Sequence, residues 1–259
     1  MQLLTDTYLE AYKQRLSIDL TAAIAQVQAK DMDARSFTFY TSVAVMSSSK
    51  IEGERLEVDS YVKHKMQDIE YLPELTEKPN DLFLAYQYAR KEKLDKKHFL
   101  KAHTILSQQL LPEKSRGKYR ASEMLVLEHN TGRVQYEAAS AAIAGAEMEK
   151  LWQDIELLRQ SDLSLAETFY YASFVHLMFV AMHPFNDGNG RAGRLLEKWL
   201  LAEKLGEAAW YIQSEKYYYH YVNDYYRNLA RVGMFYEQLD FSKADRFLQM
   251  LPNAINYQQ

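Results

Sequence analysis

A chain of 259 residues, 47 % hydrophobic and 25 % charged, is long enough to bury a substantial core, and with 9 Gly and 5 Pro it carries few helix breakers. Its formal charge of −4 argues against a protein that holds nucleic acid through a broad basic face. The lack of cysteine excludes disulfides and Cys–zinc sites.

Met1-Gln2-Leu3-Leu4-Thr5-Asp6 has neither a basic n-region nor an apolar core, and the longest apolar run, Ala172 to Met182, is too short to span a bilayer. The expectation is a cytoplasmic protein without a membrane segment. Leu9, Tyr12, Leu16, Leu20, Ile24 and Val27 recur at helical spacing and predict one surface helix over about 7–30. A second helical segment runs from Arg35 to Leu56; within it, Ser48-Ser49-Lys50-Ile51-Glu52-Gly53 reads by itself as a serine-rich helix end stopped by Gly53. Further helices are predicted around 57–70, 80–93 with Asn80 as N-cap, and 97–111, where His103 reads as a half-buried core histidine. After Gly117-Lys118-Tyr119-Arg120, the β-prone runs 124–127 and 134–136 flank a polar turn at His129-Asn130-Thr131-Gly132, which predicts a β-hairpin. An Ala-rich, then amphipathic, segment covers 138–159. Ser164-Leu165-Ala166-Glu167 is a capping box. It opens a helix that is apolar nearly all round and so belongs at the buried centre of a bundle, with His176 bonded to a neighbour in the core. No repeat and no low-complexity linker divides the chain.

That central helix runs into His183-Pro184-Phe185-Asn186-Asp187-Gly188-Asn189-Gly190-Arg191-Ala192-Gly193-Arg194. Pro184 ends the helix at His183, and Gly188 and Gly190 permit a tight turn into a second helix starting near Asn189. The unpaired N–H groups and positive dipole end of that helix face one spot. Arg191 and Arg194, three residues apart, share a face in its first turn, where two cations oppose the dipole unless an anion lies between them. Two guanidinium forks, a nest of N–H groups and the Asp187 carboxylate describe a polyphosphate site with room for a divalent metal, with His183 at the rim as proton acceptor. No P-loop motif offers an alternative phosphate site.

This stretch resembles the signature H-x-F-x-[D/E]-G-N-G-R-x-x-R of Fic-domain proteins, matching at every fixed position. Beside it, Ser48, Glu52 and Gly53 match the family's inhibitory pattern [S/T]-x-x-x-E-[G/N]. The resemblance implies an all-α, Fic-type helical bundle with one β-hairpin flap. It implies an N-terminal helical region over 1–95 with an inhibitory helix at about 36–55, a Fic core over 96–235, and a C-terminal helix, placed at 243–251, and tail within 236–259. It also implies a protein adenylyltransferase that moves AMP from Mg-ATP to a Ser, Thr or Tyr hydroxyl of a target protein. In that reading His183 is the base, Asp187 the Mg²⁺ ligand, and Gly188, Asn189 and Gly190 the anion hole around the α-phosphate. Arg191 takes the β-phosphate, Arg194 the γ-phosphate, and Glu52 blocks the latter by pairing with Arg194. Phe185 anchors the loop in the core.

The hairpin, about 123–136, reads either as the flap that holds the target by β-augmentation or as a purely structural element. The tyrosine-rich run 217–226 reads by default as helix packing; Tyr225-Tyr226-x-x-Leu229 is also similar to the family segment that borders the nucleotide base, although Gly233 stands where some relatives carry Asn. Two other functions stay open: removal of AMP with Glu52 activating water, and a non-catalytic nucleotide-sensing module. Family relatives that dimerise make a homodimer a further expectation. Neither nucleic acid nor membrane is expected as a partner.

Overall fold

The computed structural model describes residues 1–30, 32–127 and 134–257. The described helices are α1 (Leu9–Gln14), α2 (Leu20–Gln28), α3 (Ala34–Ile51), α4 (Val58–Gln67), α5 (Pro73–Lys91), α6 (Lys96–Leu106), α7 (Ala141–Gln160), α8 (Leu165–Met182), α9 (Asn189–Leu205), α10 (Ser214–His220), α11 (Val222–Ala230), α12 (Asp245–Leu248) and α13 (Met250–Ala254). β1 (Leu125–Leu127) and β2 (Val134–Glu137) form a two-stranded antiparallel sheet in which Val126 faces Tyr136. The fold is therefore mostly helical with one small hairpin, as the resemblance implied. The hairpin's turn, His129-Asn130-Thr131-Gly132, lies outside the described residues.

α8 is the axis. Its Ser164 hydroxyl accepts from the Glu167 N–H while the Glu167 carboxylate accepts from the Ser164 N–H, so the capping box forms in full. Phe169, Tyr170, Phe174, Val175 and Phe179 are all fully buried, and each such side chain contributes roughly 1.5–3 kcal/mol of apolar burial. α8 is long and apolar enough to cross a membrane by composition, but it is sheathed by α1, α2, α7, α9, α12 and α13. α9 packs antiparallel to it through Gly193, where an added Cβ would lie 2.8 Å from Val180 Cγ1. α3 packs on α4, α5 and α10 and brings its C-terminal end to the start of α9. One hydrophobic cluster runs from Leu4 to Ile255 through all of these helices.

Several expected boundaries move. The single helix over 7–30 is two, because the Asp19 carboxylate accepts the Ala22 N–H and starts a new helix. Leu16, on the connection, is only half-buried. Asn80 is not an N-cap: α5 begins at Pro73, a favourable first-turn position, and carries Pro79 through its interior. Asn80 instead accepts from the Tyr61 hydroxyl at 3.0 Å. α4 is shorter than 57–70, ending at Asp68 in the left-handed conformation, and the regular part of α6 stops at Leu106. The helix expected over 243–251 is two short ones, α12 and α13, following the Asp240 turn that caps Ser242.

Candidate active site

The site is built where α8 gives way to α9. Pro184 has no N–H to continue α8, and His183 turns left-handed (φ 50°, ψ 57°) to close it. Gly188 (φ 79°) then launches α9. The loop between them is held by side chains. Asn189 accepts the Phe185 N–H and donates to the Phe185 carbonyl, both at 2.8 Å. The Phe185 ring lies on His103 with centroids 3.5 Å apart and 14° between planes. The Asp187 carboxylate accepts the Gly188 N–H at 2.6 Å, and its side chain reaches solvent.

Arg194, 1 % exposed, is fixed on three sides. Its Nε donates to Ser48 Oγ at 2.8 Å, one terminal nitrogen to the Ser48 carbonyl at 3.1 Å and to Glu52 Oε1 at 2.6 Å, and the other to the Tyr225 hydroxyl at 3.4 Å. Arg191, 4 % exposed, donates to Glu54 Oε1 at 3.1 Å, while its buried Nε has no hydrogen-bond partner among the described residues. An anion does lie between the two arginines, and it comes from the chain itself. Burial alone would raise the Glu52 carboxyl, but Arg194 and Arg191 outweigh it and hold it below the usual carboxylate range. The carboxylate stands so close over Gly190 that an added Cβ would meet Glu52 Oε1 at 2.3 Å.

The end of α3 explains how both carboxylates reach this place. Gly53 is left-handed (φ 88°), its N–H donates to the Lys50 carbonyl, and the Glu54 N–H donates to the Ser49 carbonyl. This paired reversal is a Schellman motif with Glu52 at the cap and Glu54 two residues beyond it. Ser48, Glu52 and Gly53 thus converge on α9 as hydrogen-bonding, ion-pairing and turn-forming residues respectively.

His183 is half-buried; its Nδ1–H donates to the Val180 carbonyl at 3.2 Å, which leaves Nε2 as the unprotonated ring nitrogen. Burial pushes its pKa down, and Glu52 and Asp187 oppose that only in part. The imidazole therefore stays neutral, able to accept a proton, over a wider pH range than a free histidine.

Sequence reasoning missed three supports. His103 is fully buried, not half-buried: its Nε2–H donates to the Asp187 carbonyl and its Nδ1 accepts the Gly117 N–H, each at 3.0 Å. It therefore ties the segment before the hairpin to the signature loop. Arg120, noted only as part of a local pattern, donates to the carbonyls of His183 (2.8 Å), Ser122 (2.6 Å), Met182 (3.3 Å) and Ala139. Glu54 was not singled out at all. The signal for His103 was a polar residue on an otherwise apolar helix face; Arg120, in a polar stretch, and Glu54, before the turn at Gly53 was known, offered none.

Tyr225 is 1 % exposed and sits beneath Arg194, its hydroxyl bonded to His176 Nε2 at 3.0 Å. His176 Nδ1–H donates in turn to Glu197, which also accepts from Tyr218. In this placement Tyr225 supports the guanidinium instead of offering a face to a base. Tyr226, 37 % exposed and donating to the Ile51 carbonyl at 3.2 Å, is the member of the pair with free surface.

Residues 93–201 match the sequence profile of the Fic/DOC family. Among solved structures the chain is similar to a Fic family protein from Desulfovibrio desulfuricans (TM-score 0.73, 20 % identity, covering 98 % of this chain and 75 % of that one). It is also similar to a Fic-domain-containing signaling protein from Bacteroides thetaiotaomicron (TM-score 0.72, 18 % identity, 94 % and 92 % covered). The Caenorhabditis elegans protein Fic-1 is a third (TM-score 0.65, 12 % identity, 95 % and 70 % covered). No curated protein matches the chain. The profile match thus covers residues 93–201, and the solved structures share the fold of the chain.

Proposed function

We propose that this protein is an autoinhibited adenylyltransferase that moves AMP from Mg-ATP to a hydroxyl of a target protein and releases pyrophosphate. The observation that carries the reading is the buried Arg194 guanidinium held by the Glu52 carboxylate at 2.6 Å over the start of α9. A carboxylate there has the charge and acceptor geometry of a terminal phosphate, and its removal opens an anion site already shaped by Ser48 and Tyr225.

In this reading His183 Nε2 takes the proton of the attacking hydroxyl. The N–H groups of Gly188, Asn189 and Gly190 hold the α-phosphate, where negative charge concentrates as the hydroxyl attacks. Arg191 and Arg194 hold the β- and γ-phosphates. The chain supplies position and charge neutralisation and forms no covalent intermediate. Among the described residues no group of three ligating side chains could hold a metal. A lone exposed Asp187 carboxylate fits Mg²⁺ that arrives with the nucleotide and takes most of its ligands from phosphate and water. When bound, that ion neutralises phosphate charge. The outer edge of β1 has no strand partner among the described residues, and Leu125 and Val134 are exposed beside it, which suits an extended target segment added to the hairpin.

The test is label transfer from α-labelled ATP by wild type, Glu52→Gly and Glu52→Gly/Arg194→Ala. Releasing a pair worth about 1.4 kcal/mol or more raises transfer at least about tenfold. The second substitution should return the rate to the wild-type level or below. Equal rates in wild type and Glu52→Gly end the inhibitory role. A second reading rests on one feature: the Glu52 carboxylate lies within electrostatic reach of His183, where it could activate water to remove AMP from a modified protein. Loss of AMP from modified target in the presence of wild type, but not of Glu52→Gly, would favour it.

A further inference from the structure

The inhibitory pattern accounts for Glu52 and leaves Glu54 without a task. Yet the two are treated alike by the fold. The Schellman turn that ends α3 delivers Glu52 to Arg194 and Glu54 to Arg191, and both guanidinium groups are buried. The Glu54 side chain is 12 % exposed, and its Oε1 accepts from Arg191 at 3.1 Å and from Lys78 Nζ of α5 at 3.0 Å. Arg191 is the less satisfied arginine: Arg194 has Ser48 and Tyr225 besides its carboxylate, whereas the buried Arg191 Nε has no acceptor among the described residues. A buried guanidinium with a donor to spare is poised for an anion with more oxygens than one carboxylate presents.

We infer that Glu54 occupies the β-phosphate position of this site as Glu52 occupies the γ-phosphate position, so that the two carboxylates together stand in for the last two phosphates of a nucleoside triphosphate. The inference rests on the nucleotide reading above. Lys78 is the counter-charge that makes the exchange feasible: when Arg191 turns to a phosphate, Glu54 keeps a cation and is not stranded. Glu54 therefore sets how tightly a diphosphate binds, a ligand that Glu52 affects less because its hydrogen bond goes to Arg194 and it reaches Arg191 only through charge.

The experiment is calorimetric titration of ADP and ATP into wild type, Glu52→Gly, Glu54→Gln and Lys78→Met, each checked for native helicity by circular dichroism. Glu54→Gln should tighten ADP and ATP alike, by about tenfold for a part-buried pair worth ~1.4 kcal/mol. Glu52→Gly should tighten ATP and leave ADP near its wild-type affinity. Lys78→Met keeps the Arg191–Glu54 pair and removes the alternative cation, so it should weaken ADP. An ADP affinity unchanged in Glu54→Gln overturns the inference, as does tighter ADP binding by Lys78→Met. Should Glu52→Gly bind neither nucleotide, the nucleotide reading itself falls and this inference with it. Binding by Glu52→Gly with ADP indifferent to Glu54 removes Glu54 alone.

Discussion

Replacing Glu52 by Gln removes one charge and almost no volume, and the structure says what that does to stability. The amide oxygen can still accept from Arg194, but the guanidinium, 1 % exposed, loses its counter-ion and keeps only neutral acceptors, the amide together with the Ser48 and Tyr225 oxygens. Breaking a fully buried pair costs about 3–5 kcal/mol. The Glu52 side chain is 30 % exposed and three other acceptors remain, so the expected loss is nearer ~2 kcal/mol. In a chain of this length that lowers the melting temperature by roughly 4–8 °C. The same deficit creates an anion site: pyrophosphate at a hundred times its dissociation constant restores about 2.7 kcal/mol, by binding the folded state alone. Thermal unfolding followed by circular dichroism, with and without pyrophosphate, measures both halves. Wild type should respond weakly, because its own carboxylate competes. A melting temperature unchanged in Glu52→Gln, or a pyrophosphate response no larger than that of wild type, would refute the reasoning.

His183→Ala should abolish label transfer while nucleotide affinity, measured by titration in the Glu52→Gly background, stays near its parent value; undiminished transfer removes His183 from its role. Gly193→Val should lower stability by about 1–3 kcal/mol through overpacking, because its Cβ would meet Val180, His176 and Phe179 within 3.2 Å; a melt equal to wild type would contradict the close approach of α8 and α9. Burial pushes His103 down to about 4 from its ordinary 6.5, so the folded state refuses a proton that the unfolded chain accepts. Stability should then fall as pH drops through that interval, by up to about 3 kcal/mol, and His103→Phe, which keeps the stacking on Phe185, should flatten the slope of urea midpoint against pH. An identical slope in that variant would show that the acid sensitivity lies elsewhere.

Much of the site was legible because its signals are local. Pro184 must stop a helix, Gly188 must permit a turn, and Ser164 with Glu167 announces a helix start; each depends on a few neighbouring residues and each was found in place, whereas Gly190 lies inside α9 and its missing Cβ leaves room for Glu52. Ser48 and Glu52 could be set beside Arg194 only through the resemblance, since 142 residues separate Glu52 from its partner. The misplaced boundaries have the opposite cause. Asp19 and Asn80 are both good caps in isolation, and tertiary packing chose one and overruled the other by running α5 through Pro79. Tyr225 and Glu54 were opaque for a further reason. Which way a tyrosine on a helix faces, and which arginine a glutamate reaches two residues past a helix end, follow from how α11 and α3 dock, and no short pattern encodes that.

Ser48 grips Arg194 with both its hydroxyl and its carbonyl, independently of the glutamate. When Glu52 swings away, the guanidinium has nowhere to go. Its planar fork stays aimed, so an incoming anion meets a receptor that is rigid from the outset and surrenders little side-chain freedom on capture. Under the proposed inhibitory role, activation is then governed by the excursions of one glutamate at a helix end, a motion far lighter than the opening of a domain.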